Sequence, residues 1–402
     1  MAVTEVTEES WFSRLGGAFR GILVGIILFV LSIPLLFWNE GRAVRRAEAL
    51  KQGSATVVAV AADKILPENE KKLVHVSGML TTEDTLTDAV FGISIKGIRL
   101  EREVEMYQWK EKSSTKSEKK LGGGVKKTTV YTYEKGWSSS LINSSSFKEG
   151  GHNNPAEFPF ESEKWYASDV KLGAFSLQPD MIRRIGAEQP YAFPAGYKLP
   201  AKLKGTVANG KIMIPVNPAP VTAASAQTQS AAPVQTPAAA GGPQIGDVRI
   251  TFSQIQPHNI SVVAQQINNS FCPYPVKGDT IFLMSDSIQS AEQMFSRAQS
   301  DNNTMTWVLR IIGFLMMLFG LSMVFKPLSV LADVLPFLGD FVEMGTSLVA
   351  FLIAVPCWLT VIAVAWIFYR PVLGIILLVI SAAFIVYLIK RRKKCKAAVP
   401  AA

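Results

Sequence analysis

Cysteine and histidine are scarce in this chain, with three of each in 402 residues. Only Cys272 falls in the long polar middle, so no disulfide can close within that region and packing alone must hold it. His75, His152 and His258 lie far apart, in no HExxH-like spacing, so no metal site is expected. A G-x-S-x-G elbow and a P-loop are both missing, and Gly122-Gly123-Gly124 does not open a helix, which disqualifies it as a phosphate cradle. No cofactor and no enzymatic activity are expected on these grounds. The N-terminal apolar run is longer than a secretory h-region and no small-x-small cleavage site follows it, so it reads as an uncleaved anchor. The formal charge of +9 does not mark a nucleic-acid binder. Much of the surplus is local, in Lys390, Arg391, Arg392, Lys393, Lys394 and Lys396, and no recognition helix or interleaved aromatic–basic motif accompanies it. A basic cluster there sets topology and attracts anionic lipid headgroups. Cys395, set among these lysines, reads as an ordinary thiol before a lipidated one.

What the chain has is apolar length. Gly21 to Trp38 is one run; Trp307 to Phe325, Ser347 to Phe368 and Val372 to Ile389 crowd the C-terminal quarter. Each matches the ~20 residues that a helix needs to cross ~30 Å of hydrocarbon. Spans three and four are separated only by Tyr369-Arg370-Pro371. A continuous helix through both would be about 60 Å long, so a tight hairpin at Arg370-Pro371 is expected. The implied class is an α+β membrane protein, with four transmembrane helices and a large β-rich extracytoplasmic domain between the first and second. The expected boundaries are a cytoplasmic N-terminal tail at 1–20, spans at 21–38, 306–325, 347–368 and 372–389, and the domain at 39–305. An amphipathic interfacial helix fills 326–346, and 390–402 form a basic cytoplasmic tail. Orientation rests on that tail: if it stays cytoplasmic, four spans place the N-terminus there too and the domain outside, in periplasm or an ER or perinuclear lumen. Arg42, Arg45 and Arg46, just beyond span one, point the other way.

In the polar domain, strands are expected at 55–62, 72–78, 171–177, 211–216, 247–254 and 280–285, while 261–266 is ambiguous. Ile98, Leu100, Val104 and Met106 alternate with Arg99, Glu101, Glu103 and Glu105, the period-two signature of a half-buried strand. With Thr128 to Tyr133 beyond the glycine cluster, this reads as a long hairpin with a mobile tip. From 216 to 243 the composition collapses to Ala, Pro, Ser, Thr and Gln, which predicts a disordered loop or a linker. Ser287 to Ser300 carries helical spacing and leads into span two. Leu328, Leu331, Leu335, Leu338 and Val342 recur at steps of three and four opposite Ser329, Asp333, Asp340 and Glu343, an amphipathic helix broken or kinked at Pro336.

The residues singled out are Glu40, Arg42, Arg102, Glu105, Tyr107, Trp109 and Arg370. Glu40 and Arg42, at a membrane boundary, either close span one by an ion pair or cap, or dock the domain onto the bundle or a neighbouring subunit. Arg102 to Trp109 is either a strand with a solvated charged face or a binding surface for a partner or a lipid headgroup. Arg370 is a snorkelling anchor or a headgroup ligand. Gly151-His152-Asn153-Asn154-Pro155 is turn chemistry first, with His152 as a general base a remote alternative. Asp333 and Asp340 are expected to be solvated rather than a proton relay.

Several stretches together resemble the LUMA family of four-span membrane proteins. They are Phe37-Trp38-Asn39-Glu40-Gly41-Arg42-Ala43-Val44, His75-Val76-Ser77-Gly78, Phe91-Gly92-Ile93, Arg102-Glu103-Val104-Glu105-Met106-Tyr107-Gln108-Trp109, Gly151-His152-Asn153-Asn154-Pro155, Gly246-Asp247-Val248-Arg249, Ser261-Val262-Val263-Ala264-Gln265, Leu335-Pro336-Phe337-Leu338-Gly339-Asp340 and Phe368-Tyr369-Arg370-Pro371. They occur in order over nearly the whole chain. The resemblance implies an extracytoplasmic domain after the first of four spans, self-association, and a role organising membrane protein complexes. In animals it implies nuclear-envelope partners such as emerin and lamins, and more loosely a link to lipid metabolism. It carries over no catalytic residues. The expectation is therefore a non-enzymatic membrane scaffold, with a lipid-handling protein acting at the domain–bilayer junction as the alternative. Its partners would be membrane lipids, copies of itself and other membrane proteins. The expected location is a bacterial inner membrane, or an ER or inner nuclear membrane in a eukaryote.

Overall fold

The computed structural model describes residues 3–216, 242–334 and 336–372. The expected fourth span and basic tail lie outside these residues, apart from Val372, as does nearly all of the Ala/Pro-rich stretch. In chain order, the elements that matter here are β1 (Val3–Glu9), α1 (Trp11–Thr56), β2 (Leu73–Thr82), β3 (Arg99–Lys119), β4 (Val125–Ser138), β5 (Val248–Ile255), β6 (Asn259–Ile267), α2 (Ala291–Ala332) and α3 (Pro336–Tyr369). The class is α+β, with three helices among the described residues long and apolar enough to cross a membrane and a large β-rich region.

Helix α1 is far longer than the expected span. Ser10 caps its N-terminus by accepting from the Ser13 N–H, and the helix continues through Pro34 to Thr56. Nothing after Trp38 stops it, because Ala43 to Gln52 is rich in Ala, Arg, Glu and Leu, all good helix formers. Helix α2 opens with a complete capping box, Ser290 with Gln293, and runs without a break from the β-rich region into the apolar stretch. The two pack antiparallel at backbone distance: a Cβ on Gly25 would lie 2.5 Å from the Gly320 carbonyl oxygen, and one on Gly313 would lie 2.5 Å from Leu36. Close approach through small residues is how helices associate where lipid removes the hydrophobic drive.

The 326–346 segment corrects an expectation. The expected break or kink at Pro336 is a helix boundary, but the segment is no separate interfacial helix. Helix α2 carries on to Ala332, and α3 begins at Pro336, a position where the missing proline N–H costs nothing, and runs on to Tyr369. In the N-terminal tail, residues 3–20 form β1 and the first turns of α1.

The β-rich region holds two main sheets. In the eight-stranded one the order is β1, β4, β3, β5, Lys211–Ile214, Thr206–Ala208, with Gln189–Pro190 added on β5 and Glu163–Tyr166 on β3. In the seven-stranded one β2 and β6 pair centrally, from Asn259↔Met79 to Gln265↔Leu73, so the ambiguous 261–266 segment is a strand. Two cores lie beneath them. Phe91, Leu100, Val104, Ile250 and Phe252 fill one; Val76, Leu80, Ile98, Phe175, Val262 and Phe271 fill the other. A third core joins sheet to helices, where Ala49 and Leu50 of α1 and Met294 and Phe295 of α2 meet Leu73, Val263 and Ile281. Each large apolar side chain fully buried this way contributes about 1.5–3 kcal/mol.

The predicted hairpin is present and longer than expected. β3 and β4 stay paired from Met106↔Ser138 to Lys119↔Val125, while β5 reaches only as far as Met106. Beyond that point the hairpin projects as an arm. β1 adds to its outer edge, from Val3↔Tyr131 to Glu9↔Val125.

Candidate functional site

The residues singled out from sequence separate into three places. Glu40, Arg42 and Arg370 come together where α1, α2 and α3 converge. Glu40 is fully buried and receives both Nε and Nη2 of Arg310 at 2.6 and 2.9 Å. Its second oxygen also accepts the Trp366 indole N–H at 2.8 Å. The Arg310 guanidinium lies between the rings of Trp307 and Trp366, at 4.9 and 5.8 Å, and the Trp358 indole donates to its carbonyl. A bidentate, aromatic-flanked pair of this kind satisfies most of the donors of a guanidinium removed from water.

Arg42, two residues on, donates to Asn302 and Thr306 of α2 at 3.0 and 3.2 Å. Asn39 donates to the Thr306 carbonyl, and Asn302 to that of Ala43. Gly41 leaves room for Tyr369, whose ring a Cβ would meet at 2.5 Å, and Phe37 packs on Phe368 and Tyr369. The Asn39-Glu40-Gly41-Arg42 stretch is thus no cap closing span one. It is the seam along which the three helices lock, and Phe368-Tyr369 is its counterpart on α3. Arg370 reaches the same place less tightly, over Trp366 at 6.0 Å. Arg46 bonds to the Thr280 carbonyl and to Asp279. Two of the three arginines that argued against an extracytoplasmic domain are therefore held in internal contacts.

Arg102 is displaced from the surface role considered for it. It is 4% exposed, donates to Asp88 at 2.5 Å and to the Glu161 carbonyl at 2.8 Å, and sits between the rings of Phe91 and Trp165. The period-two alternation already placed it there, because it shares the inward face with Leu100 and Val104.

Glu105, Tyr107 and Trp109 gather at the root of the arm. Glu105 pairs with Arg249 at 2.7 Å, whose guanidinium covers Trp137, and Trp137 packs on Tyr107. Trp109 packs edge-on to His152 and lies under the Lys135 ammonium. Asn154 brackets it, accepting its N–H and donating to its carbonyl. His152 is stacked on Tyr133 with ring centroids 4.0 Å apart, so the Gly151–Pro155 turn folds onto the hairpin. No carboxylate touches His152 among the hydrogen bonds of the described residues, which leaves a general-base role without an orienting partner.

A fourth cluster was not anticipated. At the arm's far end, Arg14 of α1 donates to the Gly123 carbonyl and pairs with Asp333. Lys119 reaches Asp333, Asp340 and Glu343 at 2.9, 2.7 and 3.1 Å. Burial pulls the Lys119 ammonium down, but bonds to these three carboxylates outweigh it and hold the group above the ordinary lysine range. Asp333, expected in solvent, is 1% exposed. The acids of β1 answer lysines along the arm: Glu8 to Lys120 at 2.5 Å, Glu9 to Lys127 at 2.8 Å and Glu5 to Lys148 at 3.2 Å. Glu5 lies below its ordinary value because the Tyr131 hydroxyl and then Lys148 bond to it, and Glu8 because of Lys120. Among the described residues no group of three or more His, Cys, Asp or Glu side chains is placed to hold a metal ion.

A family model described as "Transmembrane protein 43" matches residues 106–371. Curated proteins named "Transmembrane protein 43" are similar over nearly full length. The one from Rattus norvegicus is 33% identical over 382 residues, covering 92% of this chain and 89% of its own. The one from Homo sapiens is 32% identical over 400 residues, covering 96% and 93%. A "Transmembrane protein 43 homolog" of Drosophila melanogaster is 29% identical over 377 residues, covering 90% and 92%. No solved structure matches.

Proposed function

The chain belongs to the transmembrane protein 43 family and is an integral membrane protein, and from that premise we propose that it is a non-enzymatic scaffold, whose β-rich region organises membrane protein complexes by binding partners and copies of itself. One observation carries this reading. Helices α1 and α2 pass unbroken from their apolar stretches into the third core of the β-rich region, and the Glu40–Arg310 seam fixes their register. A region held this stiffly to its anchor suits a platform that presents a surface.

Within this proposal the chain has four spans, the last after a hairpin at Arg370-Pro371. The N-terminal tail and the basic C-terminal tail are cytoplasmic, the latter on anionic headgroups, and the β-rich region is extracytoplasmic. The matched relatives named above are animal proteins, so an ER or inner nuclear membrane stands beside the bacterial inner membrane expected from sequence; membrane fractionation decides between them.

A lipid-handling role is the second reading. It is favoured by a cleft of about 680 Å³ between the ends of α1 and α2, with Leu50, Val57 and Phe295 on its apolar side and Lys51 at its rim. Cross-linking in native membranes, gentle purification and mass spectrometry of bound proteins and lipids separate the two. A defined protein partner or a homo-oligomer supports the scaffold. A monomer carrying one enriched lipid species overturns it in favour of lipid handling.

A further inference from the structure

We propose that in the bilayer the edge of β4 from Val125 to Tyr131 is a docking site for an acidic, extended segment of a partner protein, and that β1 marks in this structure what the site reads. The proposal rests on the scaffold reading and names the chemistry of one partner.

The argument begins with length. From Gly53, in the third core, down to Trp11, α1 covers about 63 Å at 1.5 Å per residue. From Leu100, in its own core, to Lys119, β3 covers about 63 Å at ~3.3 Å per residue. Both start in the β-rich region, and their far ends meet: Gly123 against Arg14, Gly122 against Val334, Lys119 against Asp333. The arm therefore runs alongside the helices past the level of their apolar stretches. Among the described residues its hydrogen bonds and ion pairs to the helices are all at this tip.

Lipid does not tolerate that path. Around the same level the arm carries Lys110, Glu111, Lys112, Glu134 and Lys135, and beyond Trp109 no strand pairs with the outer edge of β3 among the described residues. A polar sheet with a free edge cannot lie in hydrocarbon, because its backbone groups find no partner there. Val24, Ile27, Leu31, Ile312 and Phe319 stay exposed on the helices, as lipid contact requires. A bilayer around the helices thus parts the arm from the far helix ends.

Charge shows what is then left open. Residues 110–135 hold eight lysines against three glutamates. The acids that answer the arm at its tip and edge are Glu5, Glu8, Glu9, Asp333, Asp340 and Glu343. All six belong to the two segments at the far ends of the helices. Once they are on the other face of the membrane, β4 presents an unpaired edge flanked by Lys119, Lys120, Lys126 and Lys127. Unpaired edges recruit strands, and the β1 register specifies one with carboxylates at spacings of three and one, the first of them within reach of the Tyr131 hydroxyl.

The test uses the full chain in zwitterionic lipid nanodiscs and a fluorescent peptide of residues 2–10. The peptide is expected to bind, to lose about tenfold in affinity when Lys120→Glu and Lys127→Glu are combined, and to weaken as salt rises. Both lysines are about half exposed, so the variant keeps the fold. A peptide with its three glutamates changed to lysine is expected not to bind. In a second experiment, T4C and V130C, whose Cα positions are partners, are combined in one chain. The proposal expects no internal disulfide in the bilayer. A T4C peptide is expected to link instead to the V130C chain. An internal disulfide that forms readily in nanodiscs overturns the proposal, and so does absence of peptide binding. Capture of phosphatidylserine vesicles by the arm without peptide binding overturns it in favour of a lipid surface. If native-membrane cross-linking still recovers a protein partner while the peptide fails, the scaffold stands and this site alone falls.

Discussion

Arg102 and Arg310 solve one problem in two solvents. Each is a buried guanidinium held by a fully buried carboxylate and flanked by two aromatic rings: Asp88 with Phe91 and Trp165 for the first, which also reaches the exposed Glu163 at 3.2 Å, and Glu40 with Trp307 and Trp366 for the second. They differ in what surrounds the pair. Arg102 sits in a closed β core and Asp88 is fully buried, so loss of Asp88 leaves the guanidinium only the exposed Glu163 at the rim and the Glu161 carbonyl. Arg310 sits near the end of an apolar helix stretch, where a long side chain can extend toward headgroups and water. Identical chemistry therefore carries different stakes, and the β-rich region is the less forgiving half.

Removing Asp88 should break this comparison hardest. Its Oδ1 also accepts the N–H groups of Val90 and Phe91, so Asp88→Ala strands both a turn and a charge. Breaking a buried pair costs about 3–5 kcal/mol, and limited proteolysis should show the β-rich region opening while the helices remain protected. The corresponding change, Glu40→Ala, is expected to cost about 1–3 kcal/mol in nanodiscs, read as a lower midpoint of thermal unfolding. The two losses coming out equal would mean that Arg310 has no escape route. Replacing both members, Glu40→Leu with Arg310→Leu, should recover most of the loss, since apolar substitutes for a buried pair are often neutral or stabilising. A smaller effect belongs to Gly320→Ala. Its Cβ would lie 2.6 Å from the Gly25 carbonyl oxygen, and the forced separation of α1 from α2 should cost about 1–3 kcal/mol. Cysteine pairs across that crossing would then cross-link more slowly.

The two halves also differ in how far they could be read from sequence. Apolar runs and period-two alternation act locally, so three long apolar helices and most strands were legible, including the hairpin. The ends were not. Trp38 closes an apolar run but not a helix, because helix propensity persists through Ala43 to Gln52 whatever the solvent. Arg102 was legible in principle, since alternation puts it inward with Leu100 and Val104, although its charge by itself reads as solvent-facing. Glu40 and Arg310 lie 270 positions apart. A charge within an apolar span needs a partner, but nothing local to Arg310 names the carboxylate that supplies it. The tip cluster was invisible: Arg14, Lys119 and Asp333 carry no local signal, and each reads alone as a solvated charge.

The weakest contacts sharpen the comparison from the other side. Along the β1–β4 edge the carboxylates are exposed and water screens them, so each pair contributes little and the strand is held by their sum with the backbone ladder. Glu5 and Glu8 nevertheless titrate below their ordinary value of 4.5 when the strand is paired. A carboxylate lowered by pairing adds stability above its unpaired value and loses it as pH falls through the paired one. The β1–β4 contact, in cis or with an added peptide, should thus be constant from neutral pH to about 5 and weaken as pH falls below 4.5. Peptide fluorescence anisotropy across that range measures it. Added salt should release the peptide but leave the enclosed, bidentate Arg310–Glu40 seam unchanged, since buried pairs are screened far less. If thermal unfolding of the helices fell in parallel with peptide release, the seam would be open to water and the contrast between the two regions would collapse.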